Sequence, residues 1–275
     1  MTLTLNGPLA LIGAGKMGGA LLSGWLAKGL DPKTVFVRDP EPAAEVGSLI
    51  ALRGISLNLP LVDLAAKRPA VVLLAVKPQL MDIVLPELQP LVAPDTLFIS
   101  IAAGTSLHRL KELLGGEMRA VRAMPNTPSA VGRGMTACYA NALVSPAQRE
   151  TANELLAAVG DVGWVESEPL IDAVTAISGS GPAYVFYLAE CLAAAGEALG
   201  LTPALAMQLA RATVAGAGEM LHQMPDDVTT LRKNVTSPGG TTAAALDVLM
   251  GEGGLSPLMR RAAAAARDRA RELGS

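Results

Sequence analysis

Residues 9–18 read LALIGAGKMG, and this stretch decides the fold. Four apolar residues, Leu9–Ile12, run without a polar break into Gly13-Ala14-Gly15-Lys16-Met17-Gly18. A continuous apolar run of that kind suits a strand buried on both faces. The glycines then spell G-x-G-x-x-G and open a helix. In such a turn they let the chain reverse tightly and bring a pyrophosphate against backbone N–H groups at the positive helix end. Gly13, Ala14, Gly15, Lys16 and Met17 are therefore candidate cofactor contacts. A tight turn without a ligand is the alternative. The order strand, turn, helix favours a dinucleotide. Lys16-Met17 lacks the Lys-Ser/Thr ending of a triphosphate-binding loop, which counts against an NTPase.

The same rhythm continues outward. Strand candidates at Val35–Val37, Val71–Val76, Leu97–Ile101 and Arg119–Met124 alternate with helix-period segments. This pattern predicts an α/β domain built on a parallel sheet. A later pair, Met135–Tyr139 and Val162–Val165, is expected to extend that sheet. Ser145-Pro146 with Gln148 reads as an N-cap, a first-turn proline and a capping box. After Glu168-Pro169 the strand signals stop, and long Ala-rich helical stretches follow, one opened by Thr202-Pro203. The chain thus divides into a Rossmann-type dinucleotide-binding domain, 1–166, and an all-helical domain, 167–275. Small side chains let the helices of the second domain approach closely, which suits a subunit interface.

Bulk composition narrows the function. The chain has 275 residues, half of them apolar, but only 3% aromatic. No apolar run approaches the roughly 18 residues a spanning helix needs. A net charge of −3 without a basic cluster argues against nucleic acid. Cys138 and Cys191 stand apart from each other and from His108 and His222, so no metal site is expected, and reduced thiols point to the cytoplasm. No charged segment precedes an apolar one at the start, so no secretory signal is expected.

The ends of the later strands carry the remaining cofactor candidates. The second strand ends at Arg38-Asp39, where an acidic residue bonds ribose hydroxyls and an Arg accommodates a 2′-phosphate. Both are present, so the motif leaves NAD and NADP open, and a solvated charge pair is a third reading. Ala75-Val76-Lys77-Pro78 and Ala102-Ala103-Gly104 also follow strands, on the edge where open α/β sheets bind ligands. Small residues there let backbone touch a flat ring, and Lys77 can reach a ribose or phosphate. Asn126, between Pro125 and Pro128 in a stiffened polar loop, is a further cofactor candidate.

Near the C-terminus, residues 235–249 read VTSPGGTTAAALDVL. Ser-Pro-Gly-Gly makes a turn, and Thr241 or Thr242 can cap the helix that follows. Equally, free N–H groups and hydroxyls at a helix start form an anion cradle.

With GAGKMG, AVKP, SIAAG, RAMPNTP (122–128), SGSGPAY (178–184) and VTSPGGTT together, the chain resembles the pyrroline-5-carboxylate reductase family over essentially its full length. The resemblance implies hydride transfer from NADPH, with NADH as a second donor, to C5 of 1-pyrroline-5-carboxylate, giving L-proline. It implies a helical domain that dimerises, alone or within a larger assembly, with the substrate near that interface. Ser237, Gly240, Thr241 and Thr242 are then expected to cradle the substrate, with the Thr242 hydroxyl on the ring nitrogen as the catalytic contact. Asn234 matches a cofactor contact, and Glu168 a substrate-region residue. A protonated cyclic imine is already electrophilic, so orientation matters more than a strong general acid. His108 and His222 are accordingly read as packing or surface residues. Asp39 departs from the Ser, Thr or Asn usual in the family, and a carboxylate there repels a 2′-phosphate. Residues 55–70 align poorly, and the seven residues before Pro8 look like an added tail.

β-Hydroxyacid-type dehydrogenases resemble one another in a catalytic Lys four residues after a glycine on the interdomain helix. Here those positions are Ala183 and Val185, and no lysine lies between Lys111 and Lys233. A non-catalytic NADP-sensing protein is expected to have lost the substrate loop, which is intact.

Overall fold

The computed structural model describes residues 3–274. They form two compact units. One runs through Gly179 and includes the chain from Arg267 onward; the other is Ser180–Ala266.

Among the described residues, the first unit holds one eight-stranded sheet. Its strands are β1 (Leu9–Ile12), β2 (Val35–Arg38), β3 (Ser56–Leu57), β4 (Val71–Leu74), β5 (Leu97–Ser100), β6 (Arg119–Met124), β7 (Gly134–Ala140) and β8 (Gly160–Trp164). The spatial order is β3-β2-β1-β4-β5-β6-β7-β8. Helices α1 (Lys16–Ala27), α2 (Ala44–Arg53), α3 (Leu61–Ala66), α4 (Met81–Glu87), α5 (Leu107–Leu114), α6 (Pro146–Leu156) and α7 (Leu170–Val174) lie along the chain between or after them. Strand side chains alternate between two apolar layers. Leu9, Leu11, Val71, Leu73, Leu97 and Ile99 enter one layer. Ala10, Ile12, Val72, Leu74 and Phe98 enter the other. Both layers are buried, which is why these strands read as unbroken apolar runs rather than alternating ones. Trp25 of α1 is fully buried, and its indole N–H donates to the Leu155 carbonyl at 2.8 Å, so its one polar atom is satisfied.

Strands β1 to β6 are parallel to one another, but β7 runs antiparallel to β6. The reason lies in the connections. Only residues 125–133 join β6 to β7, too few for the helical crossover a parallel return requires, whereas α6 supplies that crossover between β7 and β8, which are parallel. The Ser145 capping box forms as expected, with the Ser145 hydroxyl accepting from the Gln148 N–H at 3.2 Å. In the segment before Pro8, Leu3 is buried and its N–H donates to the Lys28 carbonyl at 2.9 Å. Residues 1 and 2 of that segment lie outside the described residues.

The second unit contains α8 (Gly181–Ala198), α9 (Pro203–Gln223), α10 (Val228–Asn234), α11 (Thr241–Leu249) and most of α12 (Leu255–Gly274). A Cβ added at Gly196 would sit 3.1 Å from the Ala206 Cβ, a measure of how closely α8 and α9 approach. Among the described residues, the buried apolar side chains of this unit are Ala193, Ala206 and Ala210. Phe186 and Tyr187 are about two-thirds exposed, at 64% and 66%. No helix among the described residues is long and apolar enough to cross a membrane.

Candidate active site

The glycine turn is shaped by contact with backbone. Gly13 adopts φ +94, and a Cβ there would lie 2.7 Å from the carbonyl carbon and oxygen of Ala75. A Cβ on Gly18 would collide with the Gly13 carbonyl oxygen. Gly15 is different: nothing lies within 4 Å of its Cβ position, so this glycine faces open space. It is also the N-cap of α1, and no side chain caps that helix. An open, uncapped helix start is the cradle a pyrophosphate needs. Lys16 is exposed and Met17 half-buried beside it.

Asp39 is built into this turn. Its Oδ2 accepts from the Ala14 N–H at 2.6 Å and its Oδ1 from the Glu41 N–H at 2.8 Å. Asn58 braces it from the side, accepting from the Asp39 N–H at 2.9 Å and donating to the Asp39 carbonyl at 2.8 Å. No sequence pattern singles out Asn58. It sits at φ +56 just after the two-residue strand β3, a left-handed position that Asn tolerates. Arg38 is engaged elsewhere: its guanidinium donates to the Leu59 carbonyl at 3.2 Å and lies 3.7 Å from Glu87.

Ala75 and Val76 are half-buried next to the glycine turn, and Lys77 is exposed. Ala103 and Gly104 lie on the loop leaving β5, with Gly104 at φ +75. Asn126 is committed internally. Its amide nitrogen is 3.2 Å from both the carbonyl and the hydroxyl oxygen of Ser178, and its oxygen accepts from the Met135 N–H at 2.9 Å. Glu168 likewise meets protein, accepting from the Leu107 N–H at 2.8 Å and from Arg122 at 3.1 Å. All these residues belong to the first unit.

Asn234, Ser237, Gly240, Thr241 and Thr242 lie in the second unit. Gly240, not a threonine, is the N-cap of α11, and no side chain caps the helix. Gly239 adopts φ +69 in the preceding turn, and the Gly240 N–H donates to the Ser237 carbonyl at 3.0 Å. Asn234, Ser237 and Thr241 are exposed, Gly240 and Thr242 half-buried. His108 and His222 are both exposed; His108 pairs with Glu112 on its own helix. Cys138 is buried, and burial pushes its thiol up to about 12.

The strand order reverses between β1 and β4, and the glycine turn sits at that switch point. A turn of this build in that place is the mark of a Rossmann-type dinucleotide-binding protein. Comparison with known proteins narrows the class. The family model for pyrroline-5-carboxylate reductase dimerisation matches residues 168–273, and that for NADP oxidoreductase, coenzyme F420-dependent, matches residues 8–104. A pyrroline-5-carboxylate reductase of Pseudomonas aeruginosa is 41% identical over 267 residues, 96% of each chain. The structure of a pyrroline-5-carboxylate reductase from Coxiella burnetii superposes with a TM-score of 0.91 at 38% identity, covering 98% of this chain and all of that one. The Plasmodium falciparum pyrroline carboxylate reductase with NADP bound gives a TM-score of 0.80 at 31% identity, covering 98% and 99%. The chain belongs to the pyrroline-5-carboxylate reductase family.

Proposed function

We propose that this protein reduces 1-pyrroline-5-carboxylate to L-proline with NADPH as donor, and with NADH used less well. The observation that carries this reading is the start of α11: a glycine N-cap without a side-chain cap, next to two threonine hydroxyls, in a chain of this family. Helix-start N–H groups and hydroxyls suit a small carboxylate without needing Arg. Ser237, Gly240 and Thr241 hold the carboxylate and ring, and the Thr242 hydroxyl accepts from the N–H of the protonated ring nitrogen. Hydride adds to C5 of the protonated imine, the C=N π pair moves to nitrogen, and the nitrogen proton comes from solvent.

The open glycine turn fits a dinucleotide: Gly13, Ala14, Gly15, Lys16 and Met17 hold the pyrophosphate. Asp39 and Arg38 frame the adenosine ribose, while Ala75, Val76, Lys77, Ala103 and Gly104 line the nicotinamide side. When bound, the reduced nicotinamide supplies the hydride. Asn126 and Glu168 lie beside this surface, with the Asn126 amide and one Glu168 carboxylate oxygen bonded to protein. Asn234 adds a cofactor contact from residues 167–275, the part that also carries the substrate loop and the subunit contact. The working form is a cytoplasmic homodimer or an assembly of dimers. Purified protein mixed with pyrroline-5-carboxylate and reduced cofactor should consume nicotinamide absorbance and yield proline. Binding of cofactor without turnover would reject the assignment.

A further inference from the structure

Arg122 is the most enclosed charge beside the candidate site, with its side chain 7% exposed on β6. Two carboxylates meet it. Glu168 Oε1 is 3.1 Å from one guanidinium nitrogen and Asp172 Oδ1 is 3.5 Å from another. The same Glu168 oxygen accepts from the Leu107 N–H at 2.8 Å. Leu107 is the first residue of α5, so its N–H has no partner within the helix. Ser106, the N-cap, serves Arg109 instead. Glu168 therefore supplies an acceptor the helix itself lacks, and Arg122 holds that acceptor in place.

This matters because of what precedes Leu107. Residues 102–106 are the loop that leaves β5 on the ligand-binding edge of the sheet. One end of the loop is fixed by β5, where the Ile101 N–H donates to the Leu74 carbonyl at 3.0 Å. The other end is fixed by Glu168. The apex is covered from outside: a Cβ on Gly104 would lie 3.0 Å from the Leu273 carbonyl oxygen, and one on Gly274 would lie 3.1 Å from the Gly104 carbonyl oxygen.

We propose that Glu168, held by Arg122 with Asp172, is a positioning residue that sets the Ala102–Ser106 loop for the nicotinamide end of the cofactor, rather than a ligand of the substrate. The inference rests on the assignment of that loop to the cofactor. Removing Glu168 leaves the Leu107 N–H without its acceptor and Arg122 with half its counter-charge, both costly in a buried place. The backbone next to Gly104 then loses its fixed position, while the glycine turn and Asp39 keep theirs.

The test uses the full chain and measures binding before turnover. Wild-type affinity for NADPH, read from nicotinamide fluorescence without substrate, is taken first; no binding there rejects the cofactor assignment and this inference with it. Glu168→Ala should then weaken NADPH at least about tenfold and raise its KM. Affinity for 2′,5′-ADP, which lacks the nicotinamide, and KM for the imine should stay within about twofold. Glu168→Gln retains an acceptor for Leu107 and should restore NADPH affinity to within about threefold of wild type. If Glu168→Ala fails to fold, Glu168→Gln and Arg122→Lys carry the test, the second weakening NADPH more than 2′,5′-ADP. Unchanged NADPH affinity with a raised imine KM would make Glu168 a substrate ligand and overturn the proposal. An equal loss for NADPH and 2′,5′-ADP would reduce its role to general stability and also overturn it.

Discussion

Asp39 places its carboxylate beside the open glycine turn, accepting from the Ala14 and Glu41 amides, whereas Arg38 points to Leu59 and Glu87. NADPH is expected to be the better donor, but with a modest margin. Asp39→Ser removes the repulsion of a 2′-phosphate and should widen the NADPH-to-NADH ratio of kcat/KM about tenfold, or roughly 1.4 kcal/mol. A ratio unmoved by the substitution would take Asp39 out of the specificity argument. Thr242 is tested separately. Thr242→Val keeps the shape but loses one hydrogen bond, at a cost of roughly 1–3 kcal/mol, or about 10- to 100-fold in kcat/KM. Cofactor affinity should be untouched, and near-normal turnover would leave that hydroxyl without a role. A third expectation concerns Cys138. Burial holds its thiol proton to about 12, against an ordinary value of 9.0. The unfolded chain gives up that proton first, so the contribution is intact below pH 9.0 and falls as pH rises towards 12. Denaturation midpoints across alkaline pH, compared with those of Cys138→Ala, measure it. At this scale the sequence names the types of residue but not their engagements. Asn126 and Glu168 stand in recognisable motifs, yet what they bond depends on residues 52 and 61 positions away.

Among the elements, local pattern is most informative where both faces of a strand are buried. Leu9–Ile12 is legible to the residue, because its side chains alternate between two apolar layers and no polar position interrupts it, whereas Arg119–Met124 is legible despite Arg119 and Arg122. Ser56–Leu57 is too short to show any period, and it is a strand only because β2 lies beside it. The reversal at β7 is a matter of connection length, not of residue type. The helix start after β1 makes a sharp test. Gly18→Ala drives a Cβ into the Gly13 carbonyl oxygen, and overpacking of this kind typically costs about 1–3 kcal/mol. Urea unfolding should record that loss, with NADPH affinity falling as the turn shifts. Gly15→Ala meets open space and should leave stability nearly unchanged. Its effect, if Gly15 lies against the pyrophosphate, is confined to cofactor binding.

For the whole molecule, the second unit presents an apolar surface that its own alanines do not cover. Val185, Phe186, Leu188 and Leu192 of α8 are all more than 40% exposed. A second copy related by a twofold axis is the simplest cover for such a face. Light scattering should therefore report at least a dimer, and activity should fall on dilution through its dissociation. A fully active monomer of 28.2 kDa would rule this out. The Ala-rich composition makes the unmet surface legible in the sequence, but the division between units is not. Sequence signals change near residue 167, while the first unit runs on to Gly179, with the Asn126 side chain of the β6–β7 loop donating to the Ser178 carbonyl.

The chain also re-enters the first unit at Arg267, after 87 residues spent in the second. During synthesis this imposes an order of events. The sheet can form as soon as Trp164 has left the ribosome, but the strand of chain that covers Gly104 emerges only after the whole helical unit. At about 5–20 residues per second the interval between the two is several seconds. A nascent chain in that interval has its glycine turn complete and the loop after β5 still bare on one side, so the full edge of the sheet is closed last.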